Sequence, residues 1–246
     1  MAKTKTSAPA TTRTATPAEA GSAAPASSAK SEIAAFMEQL KAAPVNAGPH
    51  GRLIFALDAT MSRQPTWDLA CRLQGEMFRE AGKVGGLDVQ LVYYRGFGEC
   101  RASRWAGDTE TLAQLMSGID CRGGTTQIGK VLSHAAKETR KEKVSAVVFV
   151  GDAMEEMVDT LCDRAGQLGV LGVPVFLFQE GRNPEVERTF REIARLTRGA
   201  YARFDSNAAG ELAALLRAVA TYAAGGRKAL AHHGGEKAQL LLQQLP

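Results

Sequence analysis

Two hydrophobic rhythms alternate along this chain. After Arg52 comes an unbroken apolar run through Leu57, and stretches rich in β-branched and aromatic residues recur at 87–94, 145–150, 173–178 and 200–204, interrupted by Asp88 and Gln90 in one and Arg203 in another. Such short continuous runs read as strands covered on both faces. Between them the apolar residues fall at helical spacing, giving predicted helices over 65–84, 109–119, 128–140, 158–168, 184–196 and 210–224. One more strand, over 101–105, follows 87–94 after only Gly96-Phe97-Gly98 and its neighbours, too little chain for a parallel crossover, so it should return antiparallel at the sheet edge. The prediction is an α/β protein: a doubly wound, Rossmann-like, mostly parallel six-stranded sheet with one antiparallel edge strand and helices on both faces.

The ends follow other patterns. Residues 1–30 are rich in Ala, Thr, Ser and Pro, lack the bulky apolar groups that offset chain entropy, and read as a disordered tail. Ile33, Phe36, Met37 and Leu40 then make one apolar stripe on a short helix stopped by Pro44, with a linker to residue 50. The main domain is expected over 51–224. Gly225-Gly226 breaks the last helix, and 225–246 forms a C-terminal extension with a further segment between Lys228 and Leu242.

Composition narrows the class. No apolar run approaches the roughly 20 residues of a membrane helix, and the N-terminus has no apolar core of a secretory signal, so the expectation is a cytoplasmic protein without a membrane span. Cys71, Cys100, Cys121 and Cys162 have neither CxxC nor zinc-finger spacing and read as thiols. The net charge is +4, but residues 1–50 carry five basic and three acidic side chains, and no Lys/Arg cluster interleaves with aromatics, so nucleic acid is a weak expectation.

The chemistry concentrates where the strands end. After the first strand, Asp58, Thr60 and Ser62 place an acid and two hydroxyls at alternate positions, oxygen donors that suit a hard cation such as magnesium or manganese. Two more loops carry related groups: Gly123-Gly124-Thr125-Thr126-Gln127-Ile128-Gly129 ahead of a helix, and Gly151-Asp152 after the strand at 145–150. Taken singly, each loop reads as helix capping and turn bonding; three in this order read as one site.

Over roughly residues 51–224 the set resembles the von Willebrand factor type A domain of the bacterial, intracellular type, with its D-x-S-x-S loop, its later threonine turn and its aspartate after a hydrophobic strand. The resemblance implies a metal-ion-dependent adhesion site in which Asp58, Thr60, Ser62, Thr126 and Asp152 hold Mg2+ or Mn2+. Thr60 stands where the family more often has Ser, and Ile128 where it has a second Thr; Thr125 is an alternative ligand one residue away, with the Gly129 spacing favouring Thr126. It also implies an adaptor or assembly function: an under-neutralised cation binds an Asp or Glu presented by a protein partner, for instance within a AAA+ ATPase complex.

Around this set, Arg95 and Phe97 at the hairpin after the second strand are candidates for partner recognition, against the plainer reading of a solvated turn. Glu155 and Glu156 either deepen the negative potential or favour a helix start, and His232-His233 have no ligand partner at metal spacing. Two other classes stay open. One is a metal-dependent phosphohydrolase or phosphotransferase with Asp58 as nucleophile, loosely like the haloacid dehalogenases, although Thr60 stands where that group has a second acid and no phosphate loop or nucleophile elbow occurs. The other is a metal-free scaffold of the same fold.

Overall fold

In a computed structural model of the chain, which describes residues 51–63, 86–204 and 209–245, six strands form a single sheet. The predicted tail, the helix and linker of 31–50, and the helix of 65–84 with Trp67 and Cys71 lie outside the described residues. The strands are β1 (Gly51–Asp58), β2 (Leu87–Arg95), β3 (Glu99–Ala102), β4 (Ala146–Gly151), β5 (Val175–Glu180) and β6 (Ala200–Phe204). Their spatial order is β3-β2-β1-β4-β5-β6, all neighbours parallel except the β2–β3 pair. The chain thus has the expected doubly wound architecture, with the order reversing beside β1, where such sheets open a crevice at the strand C-termini.

The apolar runs are strands because both of their faces are covered. From β1, Leu53, Phe55 and Leu57 enter one core, together with helices α1 (Thr109–Ser117) and α5 (Ala209–His233). Ile54 and Ala56 enter the other, against α2 (Ile128–Lys141), α3 (Val158–Val170) and α4 (Pro184–Thr197). In this second core Tyr94, Phe149 and Phe190 form a chain of rings, Tyr94 stacked on Phe149 at 6.1 Å between centroids and Phe149 edge-on to Phe190 at 5.5 Å. By alternation Asp58 belongs to the same side as Ile54 and Ala56.

Two differences from the predicted boundaries have local causes. Strand β3 begins at Glu99 because Gly96, at φ 61°, turns the chain tightly enough for Glu99 to pair with Arg95. It ends at Ala102 because the Ser103 hydroxyl, rather than a main-chain carbonyl, accepts from the Leu91 N–H at 3.0 Å. At the other end of the chain α5 is two helical stretches that meet at Gly226, whose φ of 68° and ψ of −166° are not helical, as the Gly225-Gly226 break predicted, and a short α6 (Glu236–Leu242) follows.

Residues 225–245 contribute buried Leu230, Ala238, Leu241 and Leu245 to the first core. Gln244 then lies along the outer side of β6: its side-chain carbonyl accepts from Tyr201 N–H at 2.8 Å and its amide donates to Tyr201 C=O at 2.9 Å. No helix among the described residues is long and apolar enough to cross a membrane.

Candidate functional site

Strand β1 ends on a fully buried carboxylate. One Asp58 oxygen accepts from the Thr60 N–H at 2.8 Å, closing a tight turn of the kind Asp favours. The turn orients the next two hydroxyls, and Thr60 Oγ1 lies 3.1 Å from Ser62 Oγ. Thr60 is buried while Met61 and Ser62 face solvent, so the loop leads from the sheet edge outward. The other Asp58 oxygen, Oδ2, is buried and has no hydrogen-bond partner of full geometry, the Tyr94 phenol bearing on the carboxylate only as a weak donor. Burial raises the Asp58 carboxyl above its ordinary range more than the Thr60 bonds lower it, and nearby Asp152 adds to the rise. Tyr94, level with Asp58 on β2, turns its buried phenol toward the same carboxylate; burial and then the Asp58 charge hold it protonated well above the usual tyrosine range.

The second loop is fixed from a distance. No side chain of the residue before α2 caps that helix. Instead Glu156, from the loop after β4, accepts from the Ile128 N–H at 2.5 Å and the Gly129 N–H at 2.9 Å. Its neighbour Glu155 accepts from Thr126 N–H at 2.9 Å, and the Glu155 N–H donates to Thr126 Oγ1 at 3.0 Å. The two glutamates therefore clamp the threonine loop onto the segment that carries Asp152. Thr126 is buried in this clamp, whereas Thr125 is exposed. Asp152 Oδ1 is likewise buried, without a hydrogen-bond partner.

The β2–β3 hairpin is tied in by the main chain: Thr125 N–H donates to Gly96 C=O at 3.2 Å, and the Gln127 amide reaches the carbonyls of Arg95 and Gly96, each at 3.2 Å. The approach is so close that a Cβ on Gly124 would sit 2.2 Å from the Gly96 oxygen. Of the two candidates here, Arg95 is 8% exposed and spends its guanidinium on Glu99 and Asp120, which place it in the scaffold. Phe97 stands 87% exposed at the hairpin tip. Together with Met61 (54%) and Met157 (73%), it gives the loops at this end of β2, β1 and β4 an exposed apolar rim.

Three participants stand outside the sequence-derived set: Tyr94, Arg63 and Glu180. Arg63 closes the 3-10 turn Met61–Arg63, is 1% exposed, and forms an ion pair with Glu180 at the end of β5. Burial lowers its pKa, and Asp152 and then Asp58 act most strongly to raise it again. The signal for Glu180 was available: it is an acid closing a hydrophobic strand, as Asp152 nearly is. Arg63 gave none, since nothing local shows which way a basic residue after a turn will point.

No protein-family model matches the sequence, and no curated protein matches it. Solved structures do. The VWA domain of SpRpn10 aligns with a TM-score of 0.55 at 11% identity over 69% of this chain and 95% of that one. The PilB minor pilin of Streptococcus sanguinis gives 0.56 at 9% identity over 83% of this chain and 65% of its own. Proximal thread matrix protein 1 from the mussel byssus gives 0.57 at 13% over 70% and 46%. The chain thus spans less than two thirds of the pilin and about half of the byssus protein. These likenesses establish a von Willebrand factor A-like fold.

The donors at the sheet edge suit the cation that this fold family implies. Two buried carboxylate oxygens without well-formed hydrogen bonds, beside buried and exposed hydroxyls, are the kind of acceptors a hard cation satisfies. Among the described residues no three His, Cys, Asp or Glu side chains form a metal-holding group, so a cation here would rest on two aspartates and hydroxyls.

Proposed function

We propose that this domain binds a protein partner through an acidic side chain of that partner, at a divalent cation held by Asp58, Thr60, Ser62, Thr126 and Asp152. The observation that carries the reading is the pair of buried oxygens without well-formed hydrogen bonds, Asp58 Oδ2 and Asp152 Oδ1, at the end of adjacent parallel strands. A buried carboxylate oxygen without a partner costs free energy, on the order of 1–3 kcal/mol or more for a charged group, and a cation offsets that cost. When bound, Mg2+ or Mn2+ would supply a positive centre with positions left for an incoming carboxylate. The exposed Met61, Phe97 and Met157 would flank that contact with apolar surface, as in the centre of a protein interface.

The arrangement favours binding over phosphoryl transfer. Helix N-termini attract phosphate, but the N-terminus of α2 is filled by the protein's own Glu156. Asp58, as a nucleophile, would also have to act from a fully buried position.

Calorimetric titration of the full chain with Mg2+ and Mn2+ tests the reading, with Asp58→Ala as control. Saturable binding in the wild type and none in the variant is expected, together with capture of an Asp- or Glu-bearing partner that chelator abolishes. Partner capture unaffected by both chelator and the variant would point instead to a metal-free scaffold, and turnover of a phosphoester lost in the variant would point to the enzyme.

A further inference from the structure

Helix α4 turns a row of arginines to solvent. Arg188, Arg191, Arg195 and Arg198 recur at i, i+3, i+7 and i+10 and are all exposed, so they share one face over about 15 Å at a rise of about 1.5 Å per residue. Two are engaged on the helix itself, Arg191 with Glu187 at 2.9 Å and Arg195 with Glu192 at 2.6 Å. Arg188 and Arg198 form no ion pair among the described residues. Arg198 is also the one non-glycine residue among them with a positive φ, 55°, in the left-handed position where a helix commonly ends on glycine. A residue held there against its backbone preference, with its side chain unused by the fold, points to a use outside it. Beside the row, toward β6 and α6, lies a cavity of about 330 Å3. Arg191, Arg203 and Lys237 charge its lining against Glu187, while Tyr201 and Leu240 make part of it apolar. Glu187 is shared between Arg191 and, at 3.8 Å, Arg203, and Lys237 meets Glu211 at 3.3 Å. The Arg191 guanidinium lies over the Tyr201 ring, 4.3 Å from its centroid.

We propose that this face is a second docking surface, independent of any cation, for an acidic segment of a protein partner: carboxylates at helical spacing pair with Arg188, Arg191, Arg195 and Arg198, and one apolar side chain of the same segment enters the cavity. The planar guanidinium fork suits the paired oxygens of a carboxylate. A nucleic-acid backbone fits less well. Duplex DNA carries a charge every ~1.7 Å, and Glu185, Glu187 and Glu192, which stand among the arginines on α4, would repel part of so continuous an array. Separate carboxylates meet the guanidiniums one by one and avoid the glutamates, and the apolar part of the cavity takes a side chain where it would leave a phosphate without partners.

Fluorescence anisotropy of the full chain in chelator tests this without involving the cation site. The probe is a labelled alanine-based helical peptide with glutamates at the spacing of the arginines and one leucine; a control peptide carries glutamine in their place. Wild type should bind the glutamate peptide at least tenfold tighter than the control. Arg188→Gln combined with Arg198→Gln, which removes no ion pair of the fold, should weaken binding about fivefold, the size expected of two exposed pairs. Arg198→Gly should melt above wild type, because glycine relieves the left-handed cap, and yet bind the peptide about twofold weaker. Equal binding of the two peptides overturns the proposal, as does a double variant or an Arg198→Gly chain that binds like wild type. Duplex DNA or phosphatidylglycerol vesicles bound more tightly than the glutamate peptide, and lost in the same double variant, overturn the acidic-protein reading in favour of a phosphate ligand. Because every arm is run in chelator, these outcomes and the Mg2+ titration decide separately.

Discussion

Helices α1 and α4 start by themselves, and α2 does not. Asp108 accepts from the Glu110 and Thr111 N–H groups at 3.0 and 3.2 Å to open α1, and Asn183 accepts from Glu185 at 2.9 Å to open α4, with Pro184 in the first turn. These are contiguous caps, written within four residues. The start of α2 depends on Glu156, 28 residues from Ile128. A local cap stabilises its helix alone. The borrowed cap makes the helix start, the threonine loop and the Asp152 segment one cooperative unit, so damage to any of them should be felt at the candidate site.

The largest expected break is Gly124→Ala, whose new methyl would overlap the Gly96 carbonyl. Overpacking against main chain should cost about 3 kcal/mol, read in urea unfolding, and weaken Mg2+ binding as the threonine loop is pushed off the hairpin. Next, Glu156→Ala strands two helix N–H groups and should cost about 2 kcal/mol, with metal affinity falling as well. Asp108→Ala, at the local cap of α1 beside the N-terminal end of β2 and away from the strand C-termini, should cost about 1 kcal/mol and leave metal affinity unchanged. Equal effects of these two variants on the titration would erase the distinction between local and borrowed caps.

The smallest effect concerns pH. The Thr111 hydroxyl, and then the Glu110 N–H, hold the Asp108 carboxyl below its ordinary 3.8. A carboxyl whose folded pKa is depressed adds stability above its unfolded pKa and loses it as pH falls through the folded value. Asp108→Asn should therefore keep α1 capped while flattening this part of the acid dependence, seen as a smaller drop in melting temperature below about pH 4 than in wild type.

The same contrast explains what could be read in advance. Strands buried on both faces announce themselves as apolar runs, unbroken from Leu53 to Leu57 and Ala146 to Val150 and interrupted by Asp88 and Gln90 in β2 and Arg203 in β6, so β1, β2, β4, β5 and β6 emerge to within a few residues, and the short Gly96–Gly98 connection gives the antiparallel edge. Asp58, Thr60 and Ser62 lie within five residues, and their spacing alone suggested the shared turn that their hydrogen bonds make. Tyr94, Arg63, Glu180 and the clamp of Glu155 and Glu156 depend on register across the sheet, which no local pattern carries. The hairpin pair divides the same way: Phe97 is exposed as a turn residue should be, while Arg95 meets Asp120, 25 residues on.

Gln244 has a consequence for how the molecule can meet others. By offering Tyr201 an acceptor and a donor at strand-like distances, this side chain imitates the next strand at the middle of β6. An open sheet margin is a template on which a foreign chain can extend the ladder, and proteins guard such margins against polymerisation. Here the C-terminal segment is the guard. The opposite margin, β3, is four residues long and carries Glu99 and Arg101. A sheet shielded in this way discourages strand addition at its sides.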